Sequence, residues 1–233
     1  MEKNKKRNVS GYSEKLRKII VIALFCAIAY IFTYFPKFKV MFLTFDIKDA
    51  VMTIGAMYFG PLSAVIMTTI VSLIEFLTVS DTGVYGLIMN FIASTTFCLT
   101  ASLIYKYNKK LLGAVMSLIS AALAMTAVMM LANLFITPYY MGVTKAEVQS
   151  MIPTLFFPFN LSKGVLNAAV VMLLYKPLSN VLKRANVFSG KTEEKSPAKA
   201  YKLSSSIIAA VISLIIIVGT LLFLFLFLHA QLA

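Results

Sequence analysis

Long apolar runs separated by short polar, glycine-containing or proline-containing stretches form the main pattern of the chain. Several runs reach about 20 residues, the length that an α-helix needs to cross a bilayer core roughly 30 Å thick. Runs of this length predict membrane-spanning helices rather than amphipathic soluble ones. We predict spans over residues 17–35, 62–79, 84–105, 111–138, 154–182 and 207–228.

One further helix, predicted over residues 47–58, is shorter than a span. It lies between a loop at 36–46 and the helix-breaking sequence at 59–61. At about 1.5 Å per residue it extends only about 18 Å. Its ends must therefore be buried in protein, unless the bilayer thins around it. We predict that this helix borders a cavity.

These elements predict an all-α, polytopic membrane protein with a six-helix core and one appended carboxy-terminal transmembrane helix. We divide the chain into a six-helix membrane domain (1–184), a cytoplasmic linker (185–204) and the additional helix (205–233). The linker mixes Lys, Glu, Ser, Gly and Pro, so it has little apolar surface to bury and is predicted to be flexible. The last apolar run carries no charge and is predicted to face lipid.

Composition and charge agree with this topology. Hydrophobic residues make up 60% of the chain and charged residues 13%, an excess that a soluble domain of this size cannot bury. The net charge of +13 does not indicate nucleic-acid binding, because the basic residues lie at helix ends rather than among aromatics on one face. Of the 22 basic residues, 17 lie in residues 3–18, in 106–110 and in 176–202. The positive-inside rule then predicts a multi-pass protein of the cell membrane with a cytoplasmic amino terminus and outside loops at 36–46, 80–83 and 139–153.

Three polar residues share one face of the helix predicted over 154–182. Asn160, Lys163 and Asn167 are spaced i, i+3 and i+7, near the outer end of that helix. Polar side chains within a span are costly and mark function by default. The alternative explanation is a lysine that snorkels to the headgroups and asparagines that bond to neighbouring helices. The aromatic sequence at 156–159 favours a site for a flat heteroaromatic ligand.

Other polar residues within the spans are candidates for the same site. Glu75 lies near the outer end of its helix, where it either pairs with Lys163 or accepts hydrogen bonds from ligand hydroxyls. Asn90 and Asn133 each stand alone on an apolar helix. Either they line the same pocket or they bond to a neighbouring helix.

The first outer loop and the first span carry two more patterns. In the loop, phenylalanines including Phe45 are mixed with acidic residues including Asp46, so it is either a lid over a pocket or an interfacial aromatic belt. Ala23 and Ala27 form a stripe of small residues on the first span. Such a stripe permits close approach of another helix, from this chain or from a partner.

Motifs for catalysis, metal binding and nucleotide binding are absent from the sequence. It has no glycine-rich phosphate loop, no HExxH and no nucleophile elbow, and its single histidine is His229. Cys26 and Cys98 stand among apolar residues and are predicted to be packing residues. We therefore expect no enzyme, no metal site and no cofactor.

Residues 157–164, Phe-Pro-Phe-Asn-Leu-Ser-Lys-Gly, closely resemble the Pro-Phe-Asn-x-x-Lys-Gly signature of the riboflavin-specific S components of energy-coupling-factor (ECF) transporters. Other features lie in register with that family, so that the resemblance covers residues 15–184. These features are Ala23 with Ala27, the segment Thr44-Phe45-Asp46, the segment Phe59-Gly60-Pro61, Gly86 with Asn90, and Asn133.

The resemblance implies a vitamin-capturing subunit with six core helices and an outward-facing pocket that the first loop closes. It implies a shared transmembrane coupling subunit, which members of the family contact through the small-residue stripe at Ala23 and Ala27, and two ATPase subunits. The ligand would be riboflavin, with FMN as an alternative. Riboflavin would be cargo and not a cofactor.

The same resemblance assigns roles to individual residues. Asn133, Asn160 and Lys163 would hydrogen-bond the polar edge of the isoalloxazine ring. The segment Thr44, Phe45 and Asp46 would cover the ring or the ribityl chain. Further pocket residues would be Glu75, Gly86 and Asn90.

Three alternatives stay open on the sequence. Another vitamin, such as thiamine or biotin, would keep the family and change the cargo. A stand-alone secondary transporter would use Glu75 to carry a coupling proton. An intramembrane protease or lipid transferase would need Glu75, Asp46 and the asparagines as a catalytic site, although paired carboxylates and a catalytic histidine are missing. The helix appended after residue 182 departs from the family, so its role is also open.

Overall fold

The computed structural model describes residues 2–34, 38–40, 43–79, 82–184 and 203–232. These residues are helical apart from a small hairpin and short connections, which confirms the predicted all-α class. The linker predicted over 185–204 falls outside the described residues except for its last two. The helices are α1 (Glu2–Ile31), α2 (Lys48–Phe59), α3 (Pro61–Thr78), α4 (Gly83–Tyr107), α5 (Leu111–Met141), α6 (Lys145–Met151), α7 (Phe157–Arg184) and α8 (Leu203–Leu232).

Several of these helices are long and apolar enough to cross a membrane. They are α3, α4, α5, the continuous stretch of α6 and α7, and α8. The protein is therefore a multi-pass α-helical membrane protein, as predicted. The apolar half of α1 begins at Ile19 and the helix ends at Ile31, before the predicted end at residue 35.

Two glycines determine where helices end. Gly60 has a φ of 96°, a backbone angle that residues with a Cβ rarely adopt, and it turns the chain from α2 into α3. Pro61 then occupies the first position of α3, where its missing N–H is not needed. Gly142 has a φ of 66° and ends α5, and its N–H donates to the Pro138 carbonyl at 2.9 Å.

The first outer loop contains a hairpin that was not predicted. Strands β1 (Phe38–Val40) and β2 (Leu43–Phe45) pair in antiparallel register, with Phe38 opposite Phe45. Three residues per strand are too few for hydrophobic alternation to be distinguished from an irregular loop. The chain therefore enters α2 from a β-strand, which constrains the direction of Asp46.

The predicted loop at 139–153 also contains regular structure. A capping box in which the side chains of Thr144 and Glu147 each bond the other residue's backbone N–H starts α6. A π-helical turn, Ile152–Phe156, then joins α6 directly to α7. The continuous helical stretch that includes α7 therefore begins at Lys145, before the predicted residue 154, because α6 leads into α7 without a break.

The short helix α2 lies at the centre of the bundle. All of its residues from Lys48 to Met57 are buried, against α1, α3, α4 and α7. A helix shorter than the bilayer is thereby enclosed by longer neighbours, which shield its ends from lipid. The main apolar core around it includes Phe25, Met52, Met67, Phe97, Leu118 and Met125.

A second apolar cluster marks one end of the bundle. It consists of Phe45, Val148, Leu155, Phe156, Phe159 and Leu166. We call this end the hairpin end, because β2 supplies Phe45. The opposite end, which we call the basic end, carries Lys106 in the last turn of α4.

The appended helix α8 packs along α7 in the antiparallel direction. Near its start, Ala209 and Ala210 line a crevice with Tyr175 and Lys176 of α7. Near its end, Phe227 packs against the apolar cluster at the hairpin end. Its large apolar side chains are mostly exposed, as expected of a helix that faces lipid.

Candidate functional site

Charged and amide side chains gather where the hairpin meets α2. Lys48 is 0% exposed, Asp46 3% and Lys163 5%. Buried charges are costly unless they are paired, so a group of them is a candidate site. We call this group the junction cluster, and it consists of Asp46, Lys48, Asp49, Glu75, Lys163 and Asn167.

Lys163 of α7 holds the hairpin. Its Nζ donates to Asp46 Oδ2 at 3.0 Å and to the Thr44 carbonyl at 3.3 Å. The alternative in which Lys163 snorkels towards headgroups is therefore wrong, because the ammonium lies inside the bundle. Burial alone would raise the pKa of the Asp46 carboxyl, but the charges of Lys163 and then Lys48 outweigh it and hold that pKa below its usual range.

Asn167, one turn further along α7, fixes the start of α2. Its Oδ1 accepts from the Ala50 N–H at 2.8 Å, and its Nδ2 donates to the Asp46 carbonyl at 3.1 Å. Ile47 stands at the N-cap position of α2 and has no side-chain oxygen to cap it. The amide of Asn167 replaces that cap from a distant helix and so ties α7 to the hairpin junction.

Glu75 is ion-paired, although not with the lysine that the sequence suggested. Its Oε2 accepts from Lys48 Nζ, while Lys163 pairs with Asp46. Lys48 also lies 3.8 Å from Asp46 Oδ2. The two lysines and two of the carboxylates thus form one connected network across the hairpin junction, α3 and α7.

Two carboxylate oxygens in the cluster lack a partner among the described residues. Asp49 Oδ1 accepts from Ser94 Oγ at 2.5 Å, but Asp49 Oδ2 and Asp46 Oδ1 accept no hydrogen bond. Leaving a buried acceptor unpaired costs about 1–3 kcal/mol. The cluster therefore has spare acceptor capacity, which suits a guest that carries several O–H or N–H donors.

Aromatic side chains lie directly beside the cluster. The rings of Phe45 and Phe159 are 4.3 Å apart between centroids and tilted by 56°. Phe156 is fully buried next to them, whereas Phe157 is half-exposed. Because Phe159 lies one turn before Lys163 on α7, an apolar wall and an ammonium share one region of the bundle.

Asn133 and Asn160 are buried, but their amides bond to their own helices. Asn133 Nδ2 donates to the Met129 carbonyl at 2.7 Å, and its Oδ1 accepts from Thr137 at 2.9 Å. Asn160 Nδ2 donates to the Phe156 carbonyl at 2.8 Å. These bonds use one of the two N–H donors of each amide, so the second donor can bond a ligand without their loss.

Gly86 and Asn90 lie in the first two turns of α4 and are partly exposed. Among the described residues, no hydrogen bond joins either of them to the junction cluster. Their assignment to the pocket therefore stays a prediction.

The alanine stripe is on the outside of the bundle. Ala23 and Ala27 are both exposed on α1, whereas the nearby Ala29 is fully buried. Of the two uses that the sequence left open, packing within the described chain does not apply to Ala23 and Ala27. The stripe is free to contact another helix.

Sequence reasoning missed Lys48, Asp49 and Ser94 as site residues. A signal was present, since three charges in the four residues from Asp46 to Asp49 directly precede an apolar helix. The prediction placed Asp46 at the end of the outer loop and Lys48 and Asp49 in the first turn of the short helix, and it assigned neither Lys48 nor Asp49 to the site. Only the packing of α2 at the centre of the bundle shows that these charges are buried.

Comparison with known proteins adds independent information. A profile of the family described as "ECF transporter, substrate-specific component" matches residues 17–175. The chain is 32% identical over 178 residues to the riboflavin transporter RibU of Staphylococcus aureus (strain TCH60), covering 72% of this chain and 93% of that protein. It is 26% identical over 174 residues to the riboflavin transporter FmnP of Bacillus subtilis (strain 168), covering 69% of this chain and 91% of that protein.

A solved structure has a similar fold. The S component of a bacterial ECF transporter superposes with a TM-score of 0.62 at 33% sequence identity, covering 73% of this chain and 99% of that chain. The part of this chain that the family profile covers ends at residue 175, so α8 lies outside it.

Proposed function

Since this chain belongs to the family of substrate-specific components of ECF transporters, we propose that it binds riboflavin at the hairpin end of its bundle for import. The relatives named above are riboflavin transporters, and they match most of the helical core. Both relatives are named as transporters, so these comparisons favour transport.

The observation that carries the proposal is the placement of the junction cluster beside the Phe45–Phe159 pair. Riboflavin has a flat ring with carbonyl and N–H groups on one edge and a ribityl chain with several hydroxyls. A ring of this kind suits aromatic and apolar walls, and its polar groups need matched donors and acceptors. Lys163 supplies a donor, and the spare oxygens of Asp46 and Asp49 supply acceptors.

The family signature and this geometry support a set of binding residues. We propose that Asn133, Asn160 and Lys163 bond the polar edge of the ring. Thr44, Phe45 and Asp46 cover the ligand as part of the hairpin segment. Glu75, Gly86 and Asn90 are further candidates that line the pocket.

Access of the ligand requires partner exchange at the hairpin. In the structure, Lys163 bonds Asp46 and the Thr44 carbonyl, so the ammonium is engaged by the segment that would cover the ligand. When the ligand supplies acceptors in place of the hairpin, the bonds lost at Lys163 are replaced. The hairpin would then act as a lid. The lysine that fastens it to α7 is also the lysine that bonds the ligand.

Energy and direction would come from partner proteins. We propose a cytoplasmic amino terminus, so that the hairpin end faces outside and the basic end faces the cytoplasm. The exposed stripe at Ala23 and Ala27 would contact a transmembrane coupling subunit, and two ATPase subunits would drive transport. Riboflavin is cargo in this scheme, and the protein itself needs no cofactor.

Titration of the purified protein with riboflavin tests the proposal. Binding in an apolar, aromatic pocket quenches flavin fluorescence, so we expect saturable quenching with one site per chain. Thiamine and biotin at the same concentrations should not displace the flavin, whereas FMN competition tells whether the phosphate is tolerated. Saturable binding of thiamine or biotin in place of riboflavin would overturn the proposed cargo.

Reconstitution tests the dependence on partners. Liposomes that contain this chain alone should bind riboflavin without accumulating it, because the energy source is missing. Accumulation that follows a pH gradient in the absence of ATPases would favour a secondary transporter with Glu75 as the proton carrier.

A further inference from the structure

Lys48 is a fully buried lysine at the base of the hairpin, and the signature and pocket residues proposed above do not include it. Lysine is almost never fully buried unless it is paired, because its ammonium loses hydration. Here it pairs with Glu75 of α3 and lies 3.8 Å from Asp46 Oδ2. Apolar residues often replace a buried ion pair without loss of stability. Stability alone therefore does not explain a charge at this position.

The same oxygen of Asp46 faces two lysines. Asp46 Oδ2 is 3.0 Å from Lys163 Nζ and 3.8 Å from Lys48 Nζ. A buried carboxylate that loses its sole cation is strongly destabilised. With Lys48 in place, Asp46 still has an ammonium beside it when Lys163 moves away.

Lys48 itself has a firm anchor. Glu75 Oε2 accepts from its Nζ, and Lys48 is the first residue of α2, whose start is held by Asn167. It therefore remains in place while the hairpin segment before it changes partners. The unpaired Asp46 Oδ1 shows that the hydrogen bonds to this carboxylate are not saturated and can be rearranged.

We propose that Lys48 is a positioning residue for the ligand site: by sharing Asp46, it allows Lys163 to leave the hairpin and bond the ligand. This role rests on the proposed function. If Lys48 lost its charge, Lys163 would be the one buried ammonium left, among the described residues, to neutralise Asp46, Asp49 and Glu75. Lys163 would then be held on the hairpin, and ligand binding would weaken although Lys48 need not touch the ligand.

A double-mutant comparison tests whether Lys48 acts through Asp46. We would measure riboflavin dissociation constants for Lys48→Met in the natural chain and in an Asp46→Asn background. We expect Lys48→Met to weaken binding by about 10-fold in the natural chain and by less than about 3-fold in the Asp46→Asn background, since residues that act through one another are not additive. If Asp46→Asn binds too weakly for the fluorescence titration, equilibrium dialysis against riboflavin at higher protein concentration provides the same comparison.

Controls separate positioning from general destabilisation. Lys106→Met removes an exposed lysine at the basic end and should leave riboflavin affinity unchanged. If Lys48→Met does not yield folded protein, Lys48→Gln removes the charge while keeping a hydrogen-bond donor for Glu75. Thermal unfolding of each variant reports stability independently of affinity.

The outcomes are distinct. Equal loss of affinity in both backgrounds, or no loss in the natural chain, would overturn the role of Lys48 and leave the riboflavin proposal standing. Failure of the natural chain to bind riboflavin would instead overturn the proposed function, and the positioning role with it.

Discussion

The hairpin end and the basic end of the bundle are both polar inside, but they are built from different chemistry. The hairpin end buries charged residues in a network with two unpaired carboxylate oxygens. Towards the basic end, Tyr105 and Tyr175 share a hydrogen bond between their hydroxyls, and the ring of Tyr175 stacks on Tyr58 at 6.1 Å. These groups are neutral and lie in contact with one another.

This difference between a charged and a neutral interior indicates where hydrogen-bond partners can exchange. A charged network with spare acceptors can trade an internal bond for a bond to a ligand, because the total number of satisfied groups stays the same or rises. A cluster of neutral rings joined by a hydrogen bond has no comparable reason to open. We therefore expect ligand binding to depend on the hairpin end and stability to depend on both.

Loss of Lys163 should have the largest effect on binding. Lys163→Met removes a charged donor, and a hydrogen bond to a charged group contributes about 1.5–3 kcal/mol, so we expect riboflavin affinity to fall about 100-fold. Fluorescence titration measures the loss, and size-exclusion chromatography in detergent checks that the variant is folded. An affinity within a factor of two of that of the natural chain would contradict a binding site at the hairpin end.

Asn167 should affect stability and binding together. Asn167→Leu removes the cap on α2 and the bond to the Asp46 carbonyl, which should lower stability by about 1–2 kcal/mol, as loss of an N-cap does. Because the hairpin junction loses its anchor, we expect riboflavin affinity to fall by about 10-fold. Thermal unfolding and titration of the same sample separate the two effects, and unchanged stability would contradict the capping role.

Removal of α8 tests whether the appended helix belongs to the site. A chain ending at residue 202 loses the contacts of Phe227 with the cluster at the hairpin end and those of Ala209 with the crevice on α7. The charged network and its aromatic neighbours come from other elements, so we expect riboflavin affinity to change by less than about 3-fold. The unfolding temperature should fall. Loss of binding in a folded truncated protein would show that α8 completes the site.

Tyr105→Phe should have the smallest effect on binding. It deletes the hydroxyl that bonds Tyr175, which should lower stability by about 1 kcal/mol. We expect riboflavin affinity to stay within about 2-fold of the natural value, because Tyr175 lies roughly 18 Å along α7 from Lys163. A large loss of affinity with little loss of stability would abolish the contrast between the two ends.

A local pattern was sufficient to predict which polar residues of α7 lie inside the bundle. Asn160, Lys163 and Asn167 were identified by helical spacing, and the structure buries all three side chains on α7. Their partners were not predictable in the same way. Glu75 was assigned to Lys163 as one alternative, yet it pairs with Lys48, which lies 27 residues away on α2.

Hydropathy along the chain determined by itself that the protein is an all-α, multi-pass membrane protein, because a bilayer imposes run length and composition on each helix separately. The spacing of polar residues likewise indicated which face of α7 carries buried polar side chains, because helical periodicity is local. Only the tertiary structure decided which charges pair. Lys163 and Asp46 are 117 residues apart in the sequence, and their contact depends on how α2 and the hairpin pack against α7. Coulombic attraction falls with distance and depends on burial, so partners are determined by packing that no single segment encodes.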